Sequence, residues 1–147
     1  RQDVPAIDRR RYAPAAGLRR GGYVLADPPG GDPELILIAT GSDVHLAIAA
    51  HERLAAEGVR TRVVSLPSFH LFDRQPAAYR DEVLPPQVTA RLGIEEAATL
   101  GWDRYVGSAG GMIGMHTFGS SAPLRDVQTK FGFTPDRVVA RAKELLA

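Results

Sequence analysis

Cysteine is absent, which closes off disulfide stapling and thiolate chemistry together. A cysteine-free chain is compatible with the reducing cytoplasm, and a cytoplasmic location is the expectation. There is no excess of charge of either sign, because 18 Lys and Arg stand against 17 Asp and Glu. That balance gives no global pull towards nucleic acid or an anionic membrane, so neither is expected as a partner. No apolar run approaches the ~20 residues of a membrane span. The N-terminus lacks a signal-peptide pattern. The sequence has neither internal repeats nor low-complexity segments. Its 147 residues suffice for one domain with a real core. It opens on Arg1 rather than Met, in a connector-like stretch, and reads as a piece of a longer polypeptide.

The organising stretch is Glu34 to Gly58. Leu35-Ile36-Leu37-Ile38-Ala39 is a short, continuous apolar run, as expected of a strand buried on both faces in a parallel sheet. Thr40-Gly41-Ser42 breaks it, with Ser42 or Asp43 placed to cap a helix. Val44, Ala47, Ile48, Leu54 and Ala55 recur at helical spacing up to Gly58. Val59 to Ser65 is a second β-rich run, and strand, helix, strand at this spacing predicts a βαβ crossover.

Residues 1–20 hold Pro5, Pro14 and Gly17 among Arg9, Arg10, Arg11, Arg19 and Arg20, and read as an extended, solvated linker. Its arginines are expected to pair with acids of a neighbouring domain rather than to bind phosphate. Residues 21–147 form the domain proper. Gly22 to Ala26 is a short strand whose brief connection, Asp27 to Pro33, predicts antiparallel pairing with the Leu35 strand. Asp73 is placed to cap a short turn, and Ala77 to Leu84 is a helix stopped by Pro85-Pro86. Val88, Ala90, Leu92 and Ile94 alternate as a strand with Glu95-Glu96 at its end. After a helical turn at Gly101 to Tyr105 comes a strand at Met112 to Met115. A helix capped by Ser121 follows, and a last helix starts at Thr134-Pro135. The sum is a three-layer α/β/α fold on an open, mixed, mostly parallel sheet of about five strands.

Chemistry is sparse. Gly41-Ser42 lies where a buried strand turns into a helix, and Ser65 and Ser68 follow the neighbouring strand. Gly41, Ser42, Ser65 and Ser68 are therefore the candidate small-anion site, since ligands of open α/β sheets bind beyond the strands' carboxyl ends. The turn lacks the dinucleotide and phosphate-loop patterns, and helix capping explains it equally well. His45 and His51 are six residues apart, on different helix faces, and cannot pair on a metal. His51 aligns with Val44, Ile48 and Leu54 as a hydrogen-bonded core-edge residue. His70 and His116 fall in loops beside aromatics. Glu95 and Glu96 point to opposite faces of a strand, which argues against a shared carboxylate site. No nucleophile elbow is present. Residue chemistry alone gives no catalytic constellation.

Ile113 to Pro135, IGMHTFGSSAPLRDVQTKFGFTP, adds a different kind of information. Phe118-Gly119-x-Ser121-Ala122-Pro123 followed by Phe131-Gly132-Phe133-Thr134 closely resembles the C-terminal domain of transketolases. The likeness continues through Arg1-Gln2, Gly21-Gly22-Tyr23-Val24-Leu25, Ile38-Ala39-Thr40-Gly41-Ser42-x-Val44 and Arg62-Val63-Val64-Ser65-x-Pro67-Ser68. Leu71-Phe72-x-x-Gln75, Tyr79-Arg80, Val83-Leu84-Pro85 and Trp102-x-x-Tyr105-Val106-Gly107 complete it in order. Departures are Asp43 where Glu is commoner, His70 where a Trp, Glu or other residue is usual, and Glu95-Glu96-Ala97 where Glu-Ala is common.

The resemblance implies a parent enzyme that uses thiamine diphosphate and a divalent metal (Mg or Ca). It moves a two-carbon ketol unit from a ketose phosphate to an aldose phosphate, in the pentose phosphate pathway. It further implies that cofactor and catalytic residues sit on the preceding domains, across a homodimer interface. This piece is then expected to bind no cofactor, to be inactive alone, and to support architecture and dimerisation. Trp102, Phe118 and Phe133 either supply that packing or fill the domain's own core. The alternatives are a small-anion regulatory site, a stand-alone interaction module, or the same domain of a dihydroxyacetone synthase. The ending from Phe118 to Thr134 is unlike that of the deoxyxylulose-phosphate synthases.

Overall fold

Every residue of β2 (Leu35–Ala39) is buried, and the strand sorts its side chains by parity. Leu35, Leu37 and Ala39 enter one apolar layer, Ile36 and Ile38 the other. This computed structural model describes residues 4–147, so the Arg1-Gln2 part of the resemblance lies outside the described residues. β2 is central in a five-stranded sheet of order β1-β3-β2-β4-β5, with β1 Tyr23–Ala26, β3 Thr61–Ser65, β4 Arg91–Ala98 and β5 Gly111–Met115. β2 runs parallel to β3 and β4, and β4 parallel to β5. Helix α1 (Val44–Ala56) supplies the crossover from β2 to β3. The expected α/β/α architecture is the one observed.

One layer packs Val44, Ala47, Ala50 and Leu54 of α1 with Val138 and Ala142 of α6 (Pro135–Leu146). The other gathers Phe72 of α2 (Phe69–Asp73), Val83 of α3 (Ala77–Val83), and Tyr105 and Val106 of α4 (Asp103–Val106) around Trp102. Each fully buried large apolar side chain contributes about 1.5–3 kcal/mol. α5 (Leu124–Phe131) stands apart, with no buried residue.

The strand β1 is antiparallel, as expected, but its partner is β3: Tyr23 faces Ser65 and Val24 faces Val64. Both edges of β2 are taken by β3 and β4. The connection 27–34 has to clear only the ends of one strand, at ~4.8 Å per strand spacing. Arg60 pins it, donating to the Asp32 carbonyl (2.9 Å) and to Glu34 (3.0 Å). Gly21, which leads into β1, has φ +80°, and a Cβ there would lie 2.4 Å from the Phe72 amide nitrogen. Only glycine fits that approach.

Several expected caps are reassigned. Neither Ser42 nor Asp43 caps α1; Asp43 instead accepts across to β4. Ser68 caps α2, its Oγ accepting from the Leu71 amide at 3.3 Å. Asp73 lies at the end of α2 and receives the Tyr105 hydroxyl at 2.8 Å. Ser121 caps nothing, because α5 starts after Pro123. β4 begins later and runs further than its alternation suggested, so Glu95 and Glu96 lie inside it. Thr134 is the cap expected for α6, with Oγ1 3.3 Å from the Arg137 amide. Thr134→Ala is expected to lower unfolding free energy by about 1 kcal/mol in urea titrations.

Residues 4–20 are seated rather than free. Ala13 donates its amide to the Leu25 carbonyl (3.0 Å). The Tyr12 hydroxyl and the Arg11 guanidinium both reach Glu52 of α1 at 2.7 Å. Arg10 pairs with Asp8 at 3.1 Å. Arg10 thus meets an acid within residues 4–20, and Arg11 an acid of the adjoining 21–147 domain.

Candidate functional site

At the carboxyl ends of the strands, β2 hands over to a tight turn at Gly41–Asp43, and β3 to Leu66-Pro67-Ser68. The four candidate residues are placed differently there. Gly41 is exposed, and Ser42 lines an open cavity of about 200 Å³ with His45, Leu46, Leu124 and Gln128. Ser65 is buried at the end of β3, and Ser68 is engaged in capping. Neither Ser65 nor Ser68 lines the Ser42 cavity.

Carboxylates dominate the electrostatics at the same strand ends. Asp43 is 3% exposed, and its Oδ2 accepts from the Glu96 amide at 2.8 Å. Its Oδ1 is buried without a hydrogen-bond partner among the described residues. Burial above all, then the charges of Glu96 and Glu95, push its pKa up to about 7 against the opposing effect of the Glu96 amide. Burial also raises Glu95, with Glu96 adding to it. Gln128 of α5 donates Nε2 to Glu96 Oε1 at 2.8 Å. Sequence reasoning paired Glu95 with Glu96 and dismissed the pair. The acid that joins Glu96 is Asp43, distant in sequence, and the one signal for it was an Asp directly after a strand-ending turn.

The histidines do not converge. His45 lines the Ser42 cavity, while His70 and His116 are exposed. His51 is buried against the core edge, burial lowers its pKa, and its Nδ1 has no hydrogen-bond partner among the described residues. A second cavity, of about 240 Å³, is lined by Asp73, Arg80, Asp81, Arg91 and Arg104. Its groups are mostly occupied by each other or by backbone: Arg104 pairs with Asp73 at 3.1 Å, and Arg80 donates to the Asp73 carbonyl at 2.6 Å. Arg91 spends its guanidinium on the carbonyls of Leu84 (3.1 Å), Pro85 (2.9 Å), Val88 (2.8 Å) and Tyr105 (2.9 Å).

The aromatic elements now separate. Trp102 and Phe133 are 2% and 3% exposed and fill the domain's own core, whereas Phe118 is 96% exposed. Leu100 and Leu124 add exposed apolar surface.

Residues 21–134 match the family model for the transketolase-like C-terminal domain. The chain belongs to the transketolase family. It is 58% identical to Escherichia coli transketolase 1 over 131 residues, covering 89% of this chain and 20% of that protein. It is 49% identical to the transketolase of Geobacillus stearothermophilus over 146 residues, covering 99% of this chain and 22% of that one. Among solved structures, a Pichia stipitis transketolase in complex with sedoheptulose 7-phosphate superposes with a TM-score of 0.77 at 36% identity, covering 86% of this chain and 18% of that one. The chain thus spans about a fifth of the length of these transketolases and corresponds to their C-terminal domain.

Transketolase homology implies thiamine diphosphate, so its fit to this chain matters. No group of three or more His, Asp or Glu among the described residues is arranged to hold a metal ion. The serines that would meet an anion are divided between a cavity, a strand interior and a helix cap. Nothing in that donor set fits a metal-bound diphosphate. No helix of the described residues is long and apolar enough to cross a membrane.

Proposed function

We propose that this chain is the non-catalytic C-terminal domain of a cytoplasmic transketolase, and that it acts by docking on the preceding domains and adding to a homodimer contact. Residues 1–20 are the connector and 21–147 the domain. On this reading the whole enzyme transfers a two-carbon ketol unit from a ketose phosphate to an aldose phosphate in pentose phosphate metabolism. Thiamine diphosphate, with its Mg or Ca ion, would be held by the preceding domains and would supply the carbanion stabilisation.

The observation that supports docking is Phe118, 96% exposed ahead of a helix with no buried residue. An exposed ring offers apolar surface that a docked domain could bury. Phe118→Ser in the complete polypeptide is expected to weaken dimerisation roughly tenfold, a loss of about 1.4 kcal/mol, in sedimentation experiments, with the circular dichroism unchanged. The 147-residue chain alone is expected to give no ketol transfer. A polypeptide cut before residue 21 that remains a fully active dimer would sink the reading.

A small-anion regulatory site at Gly41-Ser42, without the Ser65 and Ser68 that lie apart from it, is the second reading. Its support is the open cavity beside Ser42 and His45. Calorimetric titration with inorganic phosphate decides it, and the absence of saturable heat overturns it.

A further inference from the structure

Asp43, Glu96 and Gln128 form a polar relay from the start of α1, through β4, to α5. The Glu96 amide donates to Asp43 Oδ2, and the Gln128 side chain donates to Glu96 Oε1, both at 2.8 Å. The charged groups acting on Asp43 are both carboxylates, Glu95 and Glu96 of β4. α5 contributes the uncharged amide of Gln128, and α1, on Asp43's own side, contributes His45 at the adjoining cavity. α5 itself is lightly fastened: no residue is buried, and Val127, Gln128 and Phe131 are half-buried. The Glu96–Gln128 bond fastens it beside the packing of Phe131 against the core.

We propose that Asp43 is a proton-operated latch for α5. With its carboxyl protonated, Glu96 can rest beside it and hold Gln128. Once Asp43 ionises, two carboxylates oppose each other at a desolvated site, Glu96 turns away, and Gln128 is released. Burial of the Asp43 carboxyl, with the charges of Glu96 and Glu95 beside it, disfavours its ionised form.

The direction with pH follows from burial. Asp43 titrates at about 7 in the fold, above the ~3.9 of an unfolded aspartate. The stabilisation it carries is complete below the unfolded value and is lost as pH rises through about 7. The latch is closed on the acid side and open on the alkaline side. This inference concerns the chain's own mechanics and stands whether or not the docking reading does.

The test is hydrogen exchange of the 124–131 peptide in the intact protein, corrected for intrinsic rates, at about pH 5.5 and about pH 8.5. Wild type is expected to lose roughly tenfold in protection between the two. Asp43→Asn keeps the acceptor for the Glu96 amide and cannot ionise, so its protection is expected to stay constant. Equal loss in wild type and D43N, or no loss in wild type, overturns the latch. Should D43N fail to fold, Glu96→Gln serves: carbon-13 titration is expected to show the Asp43 midpoint falling relative to wild type. A midpoint unmoved by E96Q, or a wild-type Asp43 titrating as an ordinary carboxylate, overturns it too.

Discussion

Replacing Trp102 by alanine is expected to lower the unfolding free energy by about 4 kcal/mol, within the ~3–5 kcal/mol usual for a large aromatic removed from a core. The ring is 2% exposed and meets Phe69 edge to face, with centroids 5.2 Å apart. β4 has made room for it: a Cβ on Gly93 would lie 3.1 Å from Trp102 Cε3 and 2.1 Å from Met112 Sδ. The cavity left by W102A lies between the backbone at Gly93 and the Phe69 ring. Circular dichroism is the measurement to use, because Trp102 is the sole tryptophan and the variant loses its fluorescence. Trp102→Phe retains part of the contact and is expected to lose only about half as much. A loss below about 1 kcal/mol for W102A would show the layer to be far more yielding than close packing permits.

Arg91→Met is expected to cost about 3 kcal/mol although it replaces a charge by an apolar side chain of similar length. The half-buried guanidinium donates to four backbone carbonyls, two of them just after α3 and one in α4. Helix carboxyl ends carry unmet carbonyls and partial negative charge, so a cation there satisfies both. Burial lowers the Arg91 pKa from its ordinary value, with Asp81 opposing, and the group still remains charged at any ordinary pH. Arg91→Lys separates charge from geometry. One ammonium has three donors and no planar fork, so about half the loss is expected to remain. Full recovery with lysine in urea titrations would mean that charge alone matters at this position.

Elements with strong local periodicity were legible in the sequence. The β2–α1–β3 unit, α6 with its Thr134-Pro135 start, and the parallel sheet follow from runs such as Leu35 to Ala39, whose apolar pattern has one packing solution. The partner of β1 was not legible, because its side chains fit beside β3 as well as beside β2 and only the occupied edges of β2 decide. The caps were misplaced for a related reason. Asp43 and Ser121 look like caps by type, but the loop geometry turns one towards β4 and leaves the other outside the helix. The Gly41-Ser42 turn and the Glu95-Glu96 pair at a nearby strand end were visible, while the bond from the Glu96 amide to Asp43 was not, since the two meet only through the sheet. Trp102, Phe118 and Phe133 looked alike in sequence, and burial alone distinguishes them.

The pairing of β1 with β3 also sets an order of events during synthesis. Tyr23 faces Ser65, so β1 leaves the ribosome before its mate and finds it only after β2 and α1 have followed. At ~5–20 residues per second, that delay is roughly 2–8 seconds. Through that time β1 is an unpaired edge, and its length of four residues limits how well it can recruit a wrong partner. Of this sheet's strands, β1 is made before its mate and joins after its successors.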